Sequence, residues 1–493
     1  MEIYLFIIFV VGYVAITMEH SLKIDKLIPA LLMMVACWTL IAIGLEHIPN
    51  WIDSHSGKMV DGFNSLPLKS EAVQHTITKS TWLENSLLHH FGKTAEILIF
   101  LMGAMAIVEM IDYFEGFSSI KGMIKTRSKV ALLWIVSFLA FFLSAIIDNL
   151  TATIVLITIL RKIVSDQEDR MWYAGFIIIA ANAGGAWTPI GDVTTTMLWM
   201  AEKVTTEHLI IKLLLPSLVC ILLPLIVGTF LPAFKGEVAV IGEEKANSNS
   251  KLMLFLGLAM IVFVPVFKTL THLPPYLGMM LSLALFAVVA EFVSNRSFSM
   301  DASSRPEETH GHSGPTMRAL GKIEMPSVLF FLGILMTVAA MESVGMILNF
   351  GQDVKNAGIS ENLFVTMLGV ASAIIDNVPL VAASIGMFQD LPDTQVWHFI
   401  AFAAGTGGSI LIIGSAAGVV AMGMEKITFF WYMKKISLLA ALGYFGGIGV
   451  FLIMTKQDPK TKEIKGDKKA IEINHDKKTL NSSTAFYVQK NSN

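Results

Sequence analysis

The chain has 493 residues, a formal net charge of -3 at neutral pH, 54% apolar residues and 15% charged residues. Soluble domains carry roughly 25% charged residues, so this composition is that of a membrane protein. The near balance of charge excludes a nucleic-acid-binding protein that is recruited by bulk positive charge.

Apolar runs long enough to cross a bilayer predict ten membrane spans. The segments between them, including the longer segments 46–94 and 294–324, are predicted to be connecting loops. Histidines in these loops, such as His89 and His310, are interpreted as solvated rather than metal-binding, because the loops lack the Cys and His spacing of a tetrahedral metal site. In chain order the spans cover residues 3–18, 27–45, 95–113, 172–200, 208–231, 252–268, 275–293, 325–345, 397–424 and 430–454.

Two further apolar stretches, 130–160 and 362–388, are too long for one crossing and are interrupted near the middle. We therefore predict two re-entrant helical hairpins. Lys and Arg residues flank both ends of the first hairpin, which places those ends on the cytoplasmic side of the inner cell membrane.

The hexapeptide SAIIDN occurs twice, at Ser144–Asn149 and at Ser372–Asn377. The glycine-rich stretches 183–192 and 406–415 align in the same way, which indicates an internal repeat. Each copy contains five crossings, and an odd number requires the second copy to be inverted. The predicted units are a first repeat 1–231 with a broken helix at 172–200, a linker 232–251, a second repeat 252–454 with a broken helix at 397–424, and a polar basic tail 455–493 that is predicted to be disordered.

Each hairpin tip carries one aspartate, and a carboxylate at that depth costs several kcal/mol unless it is protonated, paired or bound to a cation. One such aspartate could instead cap a re-entrant helix, whereas two symmetric copies favour ion coordination. The serine four residues earlier shares a helical face with the aspartate. The two tips thus supply hard oxygen ligands for Na+ around Asp148, Asn149 and Ser144 in the first copy and Asp376, Asn377 and Ser372 in the second.

After each hairpin the next helix is interrupted by glycines, which exposes carbonyl oxygens inside the protein. In the first copy the interruption ends at Asp192, and in the second it ends at Ser415. This difference predicts a more anionic first site, with tighter cation binding. Two other acids, Asp112 and Glu342, occupy equivalent positions when span 95–113 is aligned without gaps on span 325–345. Either could belong to a proton relay or to an ion pair at a helix interface, and the sequence favours neither role.

The segments SAIIDNLTAT, AANAGGAWTPIGDVTTTMLW and SAIIDNVPLVAA resemble the NhaD-type sodium/proton antiporters of the ion transporter superfamily, which also contains arsenite permeases. The resemblance covers residues from about 3 to 454 and implies paired hairpins, broken helices and a homodimer. Dicarboxylate symporters of that superfamily carry Ser-Asn-Thr at the tips, whereas this chain has Asp-Asn. The site residues that the resemblance implies are Ser144, Asp148, Asn149, Asn182, Thr188 and Asp192, with Ser372, Asp376, Asn377, Thr406, Ser409 and Ser415.

The sequence therefore predicts an all-helical secondary transporter that exchanges Na+, and also Li+, for H+ by alternating access. No phosphate loop or nucleophile elbow occurs in a fitting context, so neither an organic cofactor nor an enzyme is expected. An arsenite or organic-anion permease of the same superfamily is the alternative. A membrane-embedded hydrolase is disfavoured, because the two aspartates belong to oppositely oriented hairpins and no nucleophile accompanies them.

Overall fold

The computed structural model describes residues 1–45, 48, 50–52, 59–61, 79–121, 124, 126–238, 248–301 and 314–457. The described residues of the first half form ten helices and one short antiparallel sheet, in which Trp51 pairs with Val60. The elements are α1 Glu2–Thr17, α2 Glu19–Leu22, α3 Leu27–Ile43, β1 Asn50–Ile52, β2 Met59–Asp61, α4 Lys79–Tyr113, α5 Ser118–Lys121, α6 Lys129–Ile147, α7 Asn149–Ile163, α8 Gln167–Gly185, α9 Val193–Met200 and α10 Thr206–Phe230.

The described residues of the second half follow the same order of long, paired and interrupted helices. They are α11 Ser248–Thr271, α12 Pro275–Asp301, α13 Pro315–Lys322, α14 Met325–Ser343, α15 Met346–Asn356, α16 Glu361–Ala371, α17 Asn377–Met387, α18 Gln395–Gly407, α19 Ala416–Glu425, α20 Phe429–Lys435 and α21 Ser437–Gln457.

Seven helices of the described chain are long and apolar enough to cross a membrane: α4, α6, α10, α11, α12, α14 and α21. Two shorter apolar helices, α1 and α3, correspond to the first two predicted spans. The described residues are nearly all helical apart from the short sheet, and the prediction of a helical, multi-pass membrane protein is confirmed.

Both predicted hairpins and both broken helices are present. The first hairpin turns at Asp148, which ends α6 and precedes α7, and the second turns just before Asp376, which precedes α17. Asp148 has a φ of 88°, a left-handed conformation that costs a non-glycine residue about 1–3 kcal/mol and is often found at functional sites. The interruptions of the broken helices separate α8 from α9 and α18 from α19.

Helix packing repeats between the halves. Helices α6 and α7 pack on α8, and α16 and α17 pack on α18 in the same way. Helix α3 packs against α14 of the other half, while its counterpart α12 packs against α4. Partners exchanged in this manner are those of a pseudo-two-fold axis, as inverted-repeat transporters have.

Several segments predicted to be loops contain regular structure. Helix α4 begins at Lys79, inside the predicted loop 46–94, and His89 lies on this helix. Within the predicted loop 294–324, α12 extends to Asp301 and α13 covers Pro315–Lys322. The loop prediction was wrong there because polar helical turns at a membrane boundary fall outside any apolar window. In the predicted linker 232–251, Pro232–Phe234 form a 3-10 helix and α11 begins at Ser248; His310 and the tail beyond Gln457 lie outside the described residues.

A buried ion cluster joins the first hairpin to the second broken helix. Glu425, at the end of α19, is 1% exposed and accepts hydrogen bonds from Arg161 Nε at 2.7 Å and Arg170 Nε at 2.9 Å. The guanidinium groups come from the end of α7 and the start of α8. Each carboxylate oxygen therefore has its own charged donor, which is the geometry that makes a buried pair stable.

Glu425→Gln is expected to destabilise the protein by about 3 kcal/mol, because it leaves the Arg170 guanidinium, 17% exposed, without its counter-ion. The apparent melting temperature in detergent measures the effect. Glu202→Gln is the matched control, since Glu202 occupies the corresponding position in the first repeat but is exposed to solvent. An unchanged melting temperature in Glu425→Gln would contradict the structural role of the cluster.

A second ion cluster lies in the connection between α17 and α18. The Asp393 carboxylate accepts a hydrogen bond from the Thr205 N–H at 2.8 Å and contacts His208 Nδ1 at 3.1 Å. Burial by itself would raise the pKa of Asp393, but hydrogen bonds from His398 and Thr205 hold the pKa below its usual range. The carboxylate thus contributes stability at neutral pH that is lost on acidification through the folded-state pKa.

Candidate functional site

Four helix N-termini of the hairpins and broken helices are capped by their own N-cap side chains. Asp148 Oδ1 accepts from the Thr151 N–H at 2.8 Å, and Asp376 Oδ1 accepts from the Val378 N–H at 3.1 Å. On the broken helices, Asp192 caps α9 and Ser415 caps α19. The capping interpretation of the tip aspartates is therefore correct, and it coexists with exposure of these side chains to a shared cavity.

Asp192 is the acceptor on which both hairpin tips converge. Asn149 Nδ2 donates to Asp192 Oδ2 at 2.8 Å, and Asn377 Nδ2 approaches the same oxygen at 3.4 Å. Thr194 donates to Asp192 Oδ1 through both its N–H and its hydroxyl, at 2.9 and 2.8 Å. Asp192 is 2% exposed, so a buried carboxylate of the first repeat links the asparagines of both repeats.

Asn182 of the first repeat forms a second contact between the repeats. Its Nδ2 donates to Ser415 Oγ at 3.0 Å, while its Oδ1 accepts from Asn149 Nδ2 at 2.9 Å. The aligned position in the second repeat is Gly405, which has no side chain to reciprocate. The two predicted sites are therefore joined into one asymmetric network whose anionic centre lies in the first repeat.

The predicted serine ligands hold each hairpin to its broken helix. Ser144 Oγ donates to the Ala181 carbonyl at 2.6 Å, and Ser372 Oγ donates to the Ala404 carbonyl at 2.8 Å. Both contacts occupy equivalent positions in the repeat. These hydroxyl hydrogens are thus directed at backbone oxygens and position the tips.

The other predicted hydroxyls also donate to backbone carbonyls. Thr188 Oγ1 donates to the Ala145 carbonyl at 2.7 Å, which ties the first interruption to the first hairpin. Thr406 Oγ1 donates within α18, to the Phe402 carbonyl at 2.6 Å, and Ser409 Oγ donates to the Thr406 carbonyl at 2.6 Å. The second-repeat pair therefore stabilises the end of α18 from within.

One cavity of about 60 Å³, the central cavity, lies between the hairpin tips and helices α4, α12 and α14. Five of the predicted site residues line it: Asp148, Asn149, Asp192, Asp376 and Asn377. This volume is far below the roughly 300–1,000 Å³ of pockets that hold organic ligands. Its size suits an ion with little water around it.

The central cavity has acceptors suited to a cation and few donors suited to an anion. Helix N-termini carry positive partial charge and often bind anions through free N–H groups. Here Asp148, Asp192, Asp376 and Ser415 each accept from an N–H group of the helix that they cap. The side chains that line the cavity include three carboxylates and two amides, a ligand set for hard cations, together with one cationic side chain, that of Lys26.

The two predicted relay residues occupy different surroundings. Asp112 has a side chain that is 59% exposed and lies 3.8 Å from Lys322 Nζ, as a surface ion pair. Glu342 is half-buried and lines a separate cavity with Lys93 and Glu96. The structure therefore supports interface pairing for Asp112, whereas Glu342 faces a cavity.

The threonines beside each acidic cap are not among the predicted site residues. Thr151 donates its hydroxyl to Asp148 Oδ2 at 2.9 Å, and Thr194 does the same for Asp192. Thr196 lines the central cavity and donates to the Pro189 carbonyl at 2.9 Å. The signal was present in the sequence as a threonine two or three residues after an N-cap aspartate.

A multi-pass helical fold with two hairpins, two broken helices and a carboxylate-lined cavity between them defines a secondary ion transporter. In structure the chain is similar to the YdaH transporter of Alcanivorax borkumensis, with a TM-score of 0.54 over 86% of this chain and 97% of that chain. At 12% identity this similarity establishes the fold alone.

The citrate transporter family, CitMHS, matches residues 13–398. The chain is 40% identical over 453 residues to sodium/proton antiporter 1 of Arabidopsis thaliana, covering 90% of this chain and 71% of that protein. It is 30% identical over 462 residues to the Na(+)/H(+) antiporter NhaD of Alkalimonas amylolytica, covering 90% and 89%. The chain therefore belongs to the citrate transporter family, and its resemblance to the NhaD-type antiporters is confirmed.

Proposed function

We propose that this chain is a secondary active transporter that exchanges Na+ for H+ across a membrane by alternating access. The observation that supports it is the central cavity, where Asp148, Asp192 and Asp376 converge with the amides of Asn149 and Asn377. The printed names of the relatives agree with this activity, since the Arabidopsis and Alkalimonas proteins are both called sodium/proton antiporters.

The exchange follows from competition at the same oxygen atoms. An ionised carboxylate in the cavity binds Na+, and a protonated carboxylate does not, so each ion displaces the other. A site that is empty and charged is costly to move through a low-dielectric region, whereas the Na+-bound and protonated forms are neutralised. Reorientation in only the two loaded states couples the two fluxes without a separate proton pathway.

The residues have distinct roles in this mechanism. Asp148 and Asp376 have the fewest competing partners and are assigned to Na+ and H+ binding, with Asn149 and Asn377 adding carbonyl oxygens. Asp192 accepts from the amides of both tips and is assigned to holding the tips together around the ion. In this assignment the domain units remain the two inverted repeats 1–231 and 252–454.

The membrane and the remaining substrates belong to the same proposal. The membrane is proposed to be the inner cell membrane, and the positive flanks of the first hairpin favour an orientation with those flanks in the cytoplasm. Li+ is a second small, hard cation that suits a carboxylate site. Its transport and the homodimer implied by the resemblance stay predictions.

The test is ion exchange by purified protein in liposomes that enclose a pH-sensitive dye. We expect added Na+ to drive proton flux, with a half-saturating Na+ concentration that rises as the pH is lowered, because protons compete for the carboxylates. Citrate is the control substrate, since the family name points to an organic anion. Citrate uptake without Na+-driven proton flux would contradict the proposal and favour the anion permease.

A further inference from the structure

A second cavity of about 480 Å³, the vestibule, lies on the same four helices as the central cavity but nearer their other ends. The two cavities share α4, α9, α14 and α17 in their walls. On α14 the central cavity is lined at Phe331 and the vestibule at Glu342, about 16 Å further along the helix.

An apolar barrier separates the two cavities. Its members Met197, Leu335, Val338, Val378 and Ala382 form one buried hydrophobic cluster. Val378 lines the central cavity, and the other four line the vestibule. This apolar cluster therefore lies between an ion in the central cavity and the vestibule, and hydrophobic constrictions of this kind exclude ions.

Glu342 is a carboxylate of the vestibule whose side chain is half-buried. Among the residues that the structure describes, its carboxylate has no hydrogen-bond or ion-pair partner, although the charges of Lys93 and Lys203 act on it. The other ionisable residues of the wall are His89, His90 and Glu96. A half-buried carboxylate without a partner is costly, so it needs a function or a ligand.

Glu342 also abuts the second hairpin. A Cβ atom on Gly386 of α17 would lie 3.1 Å from Glu342 Cδ, tighter than most side-chain contacts. The carboxylate of α14 thus contacts the arm that leads to Asp376 at the tip. A cation held here lies against the element whose movement would admit it to the central cavity.

We propose that Glu342 forms a second binding site, or station, for the transported alkali cation, on the far side of the apolar barrier from the central cavity. The inference rests on the proposed function and adds a place at which Na+ binds before or after it occupies the tips. Such a station strengthens the binding of Na+ that enters from the vestibule. Its loss therefore raises the half-saturating Na+ concentration on that face of the protein alone.

The test compares Na+-driven proton exchange in everted and right-side-out vesicles, which present opposite faces of the protein to added Na+. Glu342→Gln is expected to raise the half-saturating Na+ concentration about tenfold in the preparation that exposes the vestibule, with little change in the other. Glu342→Asp keeps the charge and is expected to restore most of the affinity. Asp353→Asn, an exposed carboxylate on the neighbouring helix α15, is the matched control and is expected to match wild type.

Gly386→Ala supplies an independent variant if Glu342→Gln fails to reach the membrane. Its methyl group displaces the Glu342 carboxyl group without removing it, so a smaller rise on the same face is expected. Gly423→Ala, where no neighbour lies within 4 Å of the added carbon, is its control. Unchanged Na+ dependence in both variants, or an equal rise on both faces, would overturn the station. Absence of Na+-driven exchange in wild type would instead overturn the proposed function.

Discussion

Asp148→Asn and Asp376→Asn are each expected to abolish Na+-driven proton exchange, to below about 1% of wild type, a change of about 2.7 kcal/mol in the barrier. An amide neither takes up a proton at these pH values nor carries the charge that Na+ neutralises. The amide oxygen still accepts the capping hydrogen bond from Thr151 or Val378. The substitutions thus remove the exchanging charge and leave the hairpin turns in place.

The measurement is dissipation of a pH gradient on addition of Na+ to everted vesicles, normalised to the amount of protein in the membrane. Asp166→Asn is the matched control, because Asp166 also caps a helix, accepting from the Asp169 N–H at 2.8 Å, but lies outside the central cavity. It is expected to exchange at the wild-type rate. Near-normal exchange in both tip variants would refute the assignment of these carboxylates.

Much of this fold could be predicted from the sequence, because membrane spans appear as long apolar runs and a duplication appears as a repeated motif. The repeated SAIIDN placed a hairpin tip in each half, and the structure has a helix break at Asp148 and another before Asp376. Polar helical turns gave no such signal. The N-terminal turns of α4, with His89 and Lys93, lie in the predicted loop 46–94, because the length of an apolar run does not detect helical turns that extend beyond the bilayer.

The pairing across the site could not be read from the repeat. The repeat predicts two sites, one in each half, yet Asn377 of the second half reaches Asp192 of the first. Such a contact depends on how two distant segments pack, and sequence spacing within one segment holds no information about that. For the same reason the sequence did not predict the ion cluster of Glu425 with Arg161 and Arg170. These arginines lie 264 and 255 residues before Glu425 in the chain.

Gly184 and Gly407 belong to the predicted helix-breaking glycine pairs, but they have a second role in packing. The sequence interpretation assigned the glycine pairs to helix breaking, whereas Gly184 lies within α8 and Gly407 is the last residue of α18. An added Cβ at Gly184 would overlap the Phe141 carbonyl of α6, and one at Gly407 would overlap the Gly369 carbonyl of α16. These glycines permit each hairpin arm to approach its broken helix, at equivalent positions of the two repeats.

Gly184→Ala and Gly407→Ala are therefore each expected to destabilise the protein by about 3 kcal/mol or more. The obstructing atoms are backbone, with Phe141 C at 2.8 Å and Gly369 C at 2.6 Å from the added carbon, so no rotamer change relieves the overlap. The hairpin arm must separate from the broken helix, and the tips then lose their common cavity. The apparent melting temperature and the yield of monodisperse protein in detergent measure the loss.

Gly423→Ala in α19 controls for the substitution itself, because its added carbon meets no atom within 4 Å. That variant is expected to be as stable as wild type, or slightly more stable, since alanine has the higher helix propensity. Equal destabilisation at Gly184 and Gly407 would support the same hairpin packing in both repeats. Wild-type stability in either variant would contradict the close approach of the hairpin arm to its broken helix in that repeat.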